Sequence, residues 1–300
     1  MVDTKLLTFV DTVETKNYSL SAKRLSLTQS AVSQQIKQLE SELQIKIFFR
    51  NGSEIKLTKE GEILYKYARR IISLYNDLES RILDNKNQTK SLVIGITHTS
   101  ESNIIAQVLA YYCSKYKGVK IKIITDSISN LYDKLSTYEI DLAIVEGKVL
   151  GKKFSSILLD TDSLVVVMGK DNPLVNNRVI DINDLKKEKM ILRSSGSGTR
   201  SLFTLALQNQ NMSIDQFNVM MEVDNIATIK ELVCKNFGIS ILPKSVIYDE
   251  VKNKTLVALP IENFNMIREI NMVFLKDFSD TNALDNIIDI YKEMTNGSIN

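Results

Sequence analysis

Residues 58–83 contain no proline, and Leu64, Tyr67, Ile71, Leu74 and Leu78 recur along them at steps of 3, 4, 3 and 4. That spacing lines one side of an α-helix with a heptad seam. Thr58 is placed to cap the helix, Gly61 falls in its first turn, and Glu60 and Glu62 sit near the positive end of its dipole. A lone helix cannot bury such a seam, so the expected partner is the same helix of a second subunit. Packing against the chain's own C-terminal region is the alternative. Either way the helix divides the chain into an N-terminal module, a connector and a long C-terminal region. The following DNKNQTK (84–90) loses the pattern and reads as a hinge.

In the N-terminal module, Val32, Ile36, Leu39 and Leu43 form one apolar stripe over 29–43, with Thr28 placed as N-cap. Residues 19–25 give a second helix with Ala22 and Leu25 turned inward, and the tight Ser26-Leu27-Thr28 connection makes the pair a helix-turn-helix. The outward face carries Gln29, Ser30, Ser33, Gln34 and Lys37. Glutamine amides pair with the adenine edge in the major groove, and serines serve phosphates or bases, so this face suits a helix that reads sequence. An ordinary solvent-facing hairpin of helices is the competing reading. Next, IKIFFRNGSEIKLTKEG (45–61) has two apolar segments around Asn51-Gly52, a hairpin signal, and forms a wing whose Arg50 and Lys56 flank the DNA backbone. Charge agrees in sign: residues 1–90 carry 15 Lys+Arg against 11 Asp+Glu, a net +4, and the remainder is net −2. A basic face that only meets solvent explains the same numbers.

Beyond the hinge, β-branched runs at 92–97, 119–125, 140–145, 163–168, 239–242 and 270–275 alternate with helical patterns, which predicts α/β layers around mostly parallel sheets. Ligands collect at the carboxyl ends of such strands. The first run ends in THTSESN, where Thr97, Thr99 and Ser100 offer hydroxyls before a helix beginning near Ser102, and His98 is a further candidate contact. A strand at 190–192 runs into RSSGSGTRSLF: Gly196 and Gly198 expose backbone amides, Ser197 and Thr199 add hydroxyls, and Arg193 and Arg200 add positive charge. Glycine-rich backbone leading into a helix N-terminus receives anions, although a plain turn has the same composition and no Walker A lysine is present. Glu146 closes the third strand at this cleft; a carboxylate there repels an anion or selects a ligand that also bears an amine or hydroxyl.

Phe9, Ser19, Ala22, Leu25, Gln29-Ser30-Ala31-Val32-Ser33, Ile36, Leu39-Glu40, Phe48, Arg50, Leu57-Thr58 and Gly61 together resemble the winged helix-turn-helix of LysR-type transcriptional regulators, over about the first 60 residues without a gap. Ser21 stands where that family usually has alanine, and Gln34 where arginine is frequent. Asp141-Leu142-Ala143-Ile144 and Gly238-Ile239-Ser240-Ile241-Leu242-Pro243 look like landmarks of the family's sensor domain. The Thr97-His98-Thr99 segment resembles the oxyanion-binding loop of regulators of cysteine metabolism. RSSGSGTR is similar to a stretch in regulators of sulfite or selenium metabolism and of carbon fixation. The resemblance implies an α/β protein with an all-α N-terminal part: a winged helix-turn-helix at 1–60, a linker and dimerisation helix with hinge at 58–90, and a two-lobed periplasmic-binding-protein-like domain at 91–300. The first lobe is expected over about 91–161 and 266–300 and the second over about 162–265. It also implies DNA contacts from Ser19, Thr28, Gln29, Ser30, Ser33, Gln34, Lys37, Arg50 and Lys56, and effector contacts from Thr97, Thr99, Ser100, Ser197, Gly198, Thr199 and Arg200.

Several chemistries are narrowed by count. His98 is the only histidine, so every histidine-dependent catalytic scheme passes through it and metal sites needing several imidazoles are excluded. No metal, cofactor or catalytic residue is expected. Cys113 and Cys234 have no CxxC partner and read as core thiols rather than a disulfide framework. The first twenty residues carry acidic side chains and no uninterrupted apolar run, so neither a secretory signal nor a membrane span is expected, and the location is expected to be cytoplasmic. With 300 residues, 44% hydrophobic, the chain buries a sizeable core in two or three domains. The expected protein is a regulator that binds double-stranded DNA as a homodimer, with a homotetramer left open. A small anionic metabolite, a sulfur or other oxyanion or a phosphorylated compound, bound between the lobes modulates it, and RNA polymerase is a partner if it activates. The alternatives are a redox sensor using Cys113 and Cys234, or an enzymatic or solute-binding domain fused to a DNA reader.

Overall fold

The computed structural model describes residues 2–51, 54–101, 104–149 and 151–296. The chain divides into two compact units, one of residues 1–91 with 133–140, the other of residues 92–132 with 141–300.

In the first unit, α1 (Thr4–Thr15), α2 (Tyr18–Arg24) and α3 (Gln29–Leu43) are followed by β1 (Phe48–Asn51), β2 (Glu54–Leu57) and α4 (Lys59–Asn87). Each helix start is capped by the side chain just before it: Asp3 accepts from Lys5 N, Asn17 from Ser19 N and Leu20 N, Thr28 from Ala31 N and Thr58 from Gly61 N. Ser26 takes a left-handed conformation, φ 55°, which lets α2 turn into α3 within a few residues. Phe9, Ile36, Leu39, Ile47 and Ala68 form the core, with Phe48 and Tyr65 set edge-on to Phe9. Gly61 is fixed by this packing, since a Cβ there would lie 2.4 Å from the Ile47 carbonyl oxygen. β1 and β2 pair antiparallel from Phe48↔Leu57 to Asn51↔Glu54, as a wing requires. The Gly52 turn and the side chain of Arg50 lie outside the described residues.

Two expectations fail here. Leu43 does not join the buried stripe of α3; it is exposed, because the helix ends there and Gln44 turns left-handed. Residues 84–87 are not a hinge. α4 continues to Asn87, where left-handed Gln88 closes it, and Asp84 accepts from Ser91 N and from the hydroxyls of Thr89 and Ser91. Loss of apolar periodicity marked the loss of a buried face, while nothing in DNKN breaks helical backbone.

The second unit contains β3 (Lys90–Ile96), α5 (His98–Glu101), α6 (Ile105–Lys115), β4 (Val119–Thr125), α7 (Ile128–Ser136), β5 (Leu142–Glu146), β6 (Phe154–Gly169), α8 (Ile182–Leu185), β7 (Lys189–Leu192), α9 (Gly198–Gln208), β8 (Asn218–Glu222), α10 (Ile226–Cys234), β9 (Ser240–Pro243), α11 (Tyr248–Lys252), β10 (Leu256–Leu259), β11 (Ile267–Leu275) and α12 (Thr281–Asn296). The last four residues of α7 are grouped with the first unit. Ser102, where the sequence placed a helix start, is outside the described residues.

β6 organises this unit. Its first part, Phe154–Ser163, pairs antiparallel with β11, and the remainder pairs with β9 and β10. β11 also pairs with β5, and β5 runs parallel to β3. The sheets are therefore mixed rather than mostly parallel: β3·β5 and β7·β8 are parallel, whereas β6 is antiparallel to β9, β10 and β11, and β11 is antiparallel to β5. The long strand β6 serves both halves of the unit, and its antiparallel pairings need no helical crossover. One core lies at β3, β5, α6 and α12, around Ile94, Tyr112, Ile144, Met272 and Ile287. At the other end alternate residues of β6 enter two cores, Leu164, Val166 and Met168 on one face and Val165 and Val167 on the other.

Candidate functional site

The polar face of α3 is exposed at Gln29, Ser30, Gln34 and Lys37 and half-buried at Ser33. Ser19, on α2, donates its hydroxyl to Gln29 Oε1 at 3.0 Å, which links the two helices and leaves the amide nitrogen of Gln29 free to donate outward. Thr28 is already engaged, accepting from Ala31 N and sharing a 2.9 Å hydrogen bond with Ser30 Oγ. Lys56 is exposed on β2 beside Glu54, 3.6 Å away.

Along α4, Tyr67, Ile71, Leu74 and Leu78 form an exposed apolar row that Ile63 and Ile82 extend at both ends. Leu64 leaves this row and packs against the Phe9 core. Nearer the helix start, Arg69 donates Nε to Glu139 Oε1 at 2.6 Å and Nη1 to Asp133 Oδ2, with its guanidinium over the Tyr65 ring.

In the second unit, the ends of β3, β5 and β7, the starts of α9 and β11 and the middle of β6 supply charged and hydroxyl groups to one region. Glu146, 8% exposed, sits opposite Ile270 of β11, and Arg268 lies two residues before Ile270 on the same face. Thr97 Oγ1 and Ser100 Oγ donate to Glu146 Oε1 at 2.8 and 3.0 Å, and Ser100 N donates to Thr97 Oγ1. The hydroxyls of this loop are thus turned on the protein's own carboxylate. Thr99 is buried beside them, while His98 is exposed at the start of α5.

On the opposite side of the region, Ser197 caps α9 by accepting from Arg200 N, and Thr199 Oγ1 accepts from Arg268 Nη1 at 3.5 Å. Arg268 Nη2 pairs with Asp162 Oδ2 at 3.4 Å, and Asp162 is also bonded by Ser245 N and Ser245 Oγ. Arg193, only 3% exposed, follows β7; its Nε and Nη1 have no hydrogen-bond partner among the described residues. Burial pushes its guanidinium below the ordinary value, the charge of Arg268 adds to that, and Asp224 and Glu146 oppose it. Gly198 faces Ile128 at the start of α7, so α9 meets the other half of the unit through a residue without a side chain. Gly196 is exposed. Arg200 turns elsewhere, pairing with Glu222 at 3.4 Å in a separate open cavity of about 360 Å³ that Phe217 and Met221 also line.

Sequence reasoning did not single out Asp162 or Arg268. The one signal available was a charged residue just ahead of an apolar run, in DTDSLVVV and IREINMVF. Cys113, in α6, and Cys234, in α10, are free and half-buried, and burial pushes the Cys113 thiol up. Among the described residues no group of His, Cys, Asp and Glu is arranged to hold a metal ion, and no helix is long and apolar enough to cross a membrane.

Residues 4–62 match the family model described as bacterial regulatory helix-turn-helix protein, lysR family, and residues 85–296 match the LysR substrate binding domain. The chain belongs to the LysR family of transcriptional regulators. It is 26% identical over 285 residues to a probable RuBisCO transcriptional regulator of Phaeodactylum tricornutum, covering 94% of this chain and 93% of that protein. With the transcriptional regulator CysL of Bacillus subtilis it shares 25% over 269 residues, 89% of each. Among solved structures, CbnR in complex with its target DNA superposes with a TM-score of 0.68 at 16% identity, covering 97% of this chain and 98% of that one. A full-length OxyR variant from Pseudomonas aeruginosa gives 0.63 at 20%, covering 96% and 94%. These likenesses confirm the LysR fold. As a LysR-type regulator, the protein combines a DNA-binding helix-turn-helix with an effector-binding domain.

Proposed function

We propose that this regulator reads duplex DNA with the outward face of α3 and is switched by a small anionic metabolite held where β3, β5, β6, β7, α9 and β11 converge. Gln29 and Gln34 address base edges, Ser19, Ser30 and Ser33 add hydroxyl contacts, and Lys37, Arg50 and Lys56 neutralise phosphates. Tyr67, Ile71, Leu74 and Leu78 join two copies, so that paired reading helices meet two half-sites about one turn of DNA apart. The anion is received by Arg193 and Thr199, with Arg268 behind them, and is bound without turnover.

The buried Arg193, with two guanidinium nitrogens lacking an acceptor, is the observation that carries the effector reading. A charged donor left unpaired in the interior is costly, and a ligand oxygen removes that cost. Differential affinity for two arrangements of the domain then biases DNA binding, by no more than the ligand's preference between them.

The test combines binding and footprinting on the full chain. Gln29→Ala is expected to cost about 1–3 kcal/mol of base discrimination at one operator position, whereas Lys37→Ala weakens all sequences and lowers the salt slope by about 1. Arg193→Gln should leave DNA affinity intact and abolish the thermal stabilisation given by sulfate, phosphate or a phosphorylated metabolite. Equal losses on every operator variant for Gln29→Ala remove its reading role, and unchanged anion response in Arg193→Gln moves the effector elsewhere.

A further inference from the structure

The effector region contains two charged groups of opposite sign that the protein itself does not match. Among the described residues, Arg193 has no acceptor for Nε or Nη1. Glu146, also buried, receives among the described residues only the neutral hydroxyls of Thr97 and Ser100, both on Oε1, and no cationic donor. Arg268 differs in being engaged through Nη2 with Asp162 and through Nη1 with Thr199, only its Nε lacking a partner among the described residues. Each hydroxyl has one proton to give. With those of Thr97 and Ser100 directed to Glu146, this loop is a cradle for the protein's carboxylate and has little left for an incoming oxyanion. A ligand that is only anionic therefore satisfies Arg193 but takes up the positive charge that offsets Glu146, and it meets the field of that carboxylate without a cation of its own. A further hydroxyl on the ligand repeats what Thr97 and Ser100 supply. What Glu146 lacks is a positive donor.

We propose that the effector is a zwitterion of the amino-acid class, its anionic group received by Arg193 and Thr199 and its ammonium group by Glu146. This rests on the reading of the region as the effector site and narrows it. Glu146 is then the specificity-determining residue: it weakens the binding of simple oxyanions and deaminated acids relative to amine-bearing ligands. Selection by repulsion of the wrong ligand as well as attraction of the right one gives the discrimination.

Three matched probe pairs test this on the full-length protein by thermal shift and calorimetric titration: L-aspartate with succinate, L-glutamate with glutarate, and O-phospho-L-serine with phosphoglycolate. At least one amine-bearing member is expected to raise the Tm and to bind about 10–100-fold tighter than its deaminated twin, the range of one charge-assisted hydrogen bond. Glu146→Gln, which keeps the acceptor oxygen for Thr97 and Ser100, should collapse that preference while Arg193→Gln removes binding of both members. The wild-type comparison decides the matter alone if Glu146→Gln does not fold. Twins of equal affinity, a preference that survives in folded Glu146→Gln, or no shift with any amine-bearing probe each overturn the zwitterion. If a deaminated acid or inorganic sulfate binds at least as tightly as every amine-bearing probe and needs Arg193, the effector site stands and only its class is wrong. Binding that ignores Arg193 removes the site as well.

Discussion

At the scale of single residues, the chemistry turns on side chains whose hydrogen bonds are already decided. Asp162 is the clearest case. Its carboxylate receives Ser163 N, Ser245 N and Oγ, and Arg268, all in a place almost closed to water. Removing the charge leaves Arg268 buried without its counter-ion, and breaking one side of a buried pair costs far more than the pair itself contributes. Asp162→Asn is expected to destabilise the protein by about 3 kcal/mol, read from urea unfolding, with the apolar cores unaltered. A loss below about 0.5 kcal/mol would mean that Ser245 and water satisfy Arg268 unaided. Thr199 shows how adjacent residues diverge. Its hydroxyl meets Arg268, while the next side chain, Arg200, turns to Glu222 and another cavity, so the two arginines of the RSSGSGTR stretch do not act together.

At the scale of elements, α4 separates two jobs that a single heptad pattern had merged. Its first turns are part of the helix-turn-helix core through Leu64, Tyr65 and Ala68. Its row of Tyr67, Ile71, Leu74 and Leu78 is exposed. Paired across two copies, that row buries apolar surface at about 25 cal/mol per Å². Replacing Leu74 and Leu78 together by glutamate puts like charges face to face in such a pair and should yield a folded monomer by sedimentation, with operator affinity greatly reduced. A variant that remains dimeric would place the subunit contact on another surface. β6 is the second element of consequence. By changing partners after Ser163 it holds both ends of the effector domain on one strand, and it carries Asp162 at the changeover.

At the scale of the whole molecule, burial of phenols sets an alkaline limit on stability. Burial is the largest influence that pushes Tyr65, Tyr112 and Tyr291 above the ordinary tyrosine value, and for Tyr291 the nearby Asp160 adds to it. A phenol whose pKa is raised by folding contributes stability that is complete below about pH 10 and is lost as pH climbs through the folded value. Unfolding midpoints should therefore fall from about pH 9 to pH 11, less steeply in Tyr291→Phe. An identical alkaline slope in that variant would show that Tyr291 titrates normally. The helix-turn-helix, the wing strands and most of α4 were legible in the sequence because each is specified by neighbours a few residues apart: caps such as Thr28 and Thr58, a stripe such as Val32, Ile36 and Leu39, a hairpin turn. Most strands of the effector domain were found, but β8, β10 and the first half of β6 were not, and neither were the strand directions, since β6 and β11 gain their antiparallel partners from distant segments. The candidate effector region divides the same way. Thr97, Glu146 and Thr199 stand at strand ends or a helix start that local pattern reveals, whereas Arg268 meets Asp162 across 106 residues of chain. By itself the sequence determined which segments are helical or extended and which faces are greasy, because those follow from periodicity and capping. Only the tertiary structure decided which charges meet, because cross-strand register and the withdrawal of Arg193 and Glu146 from water exist only once the chain has closed.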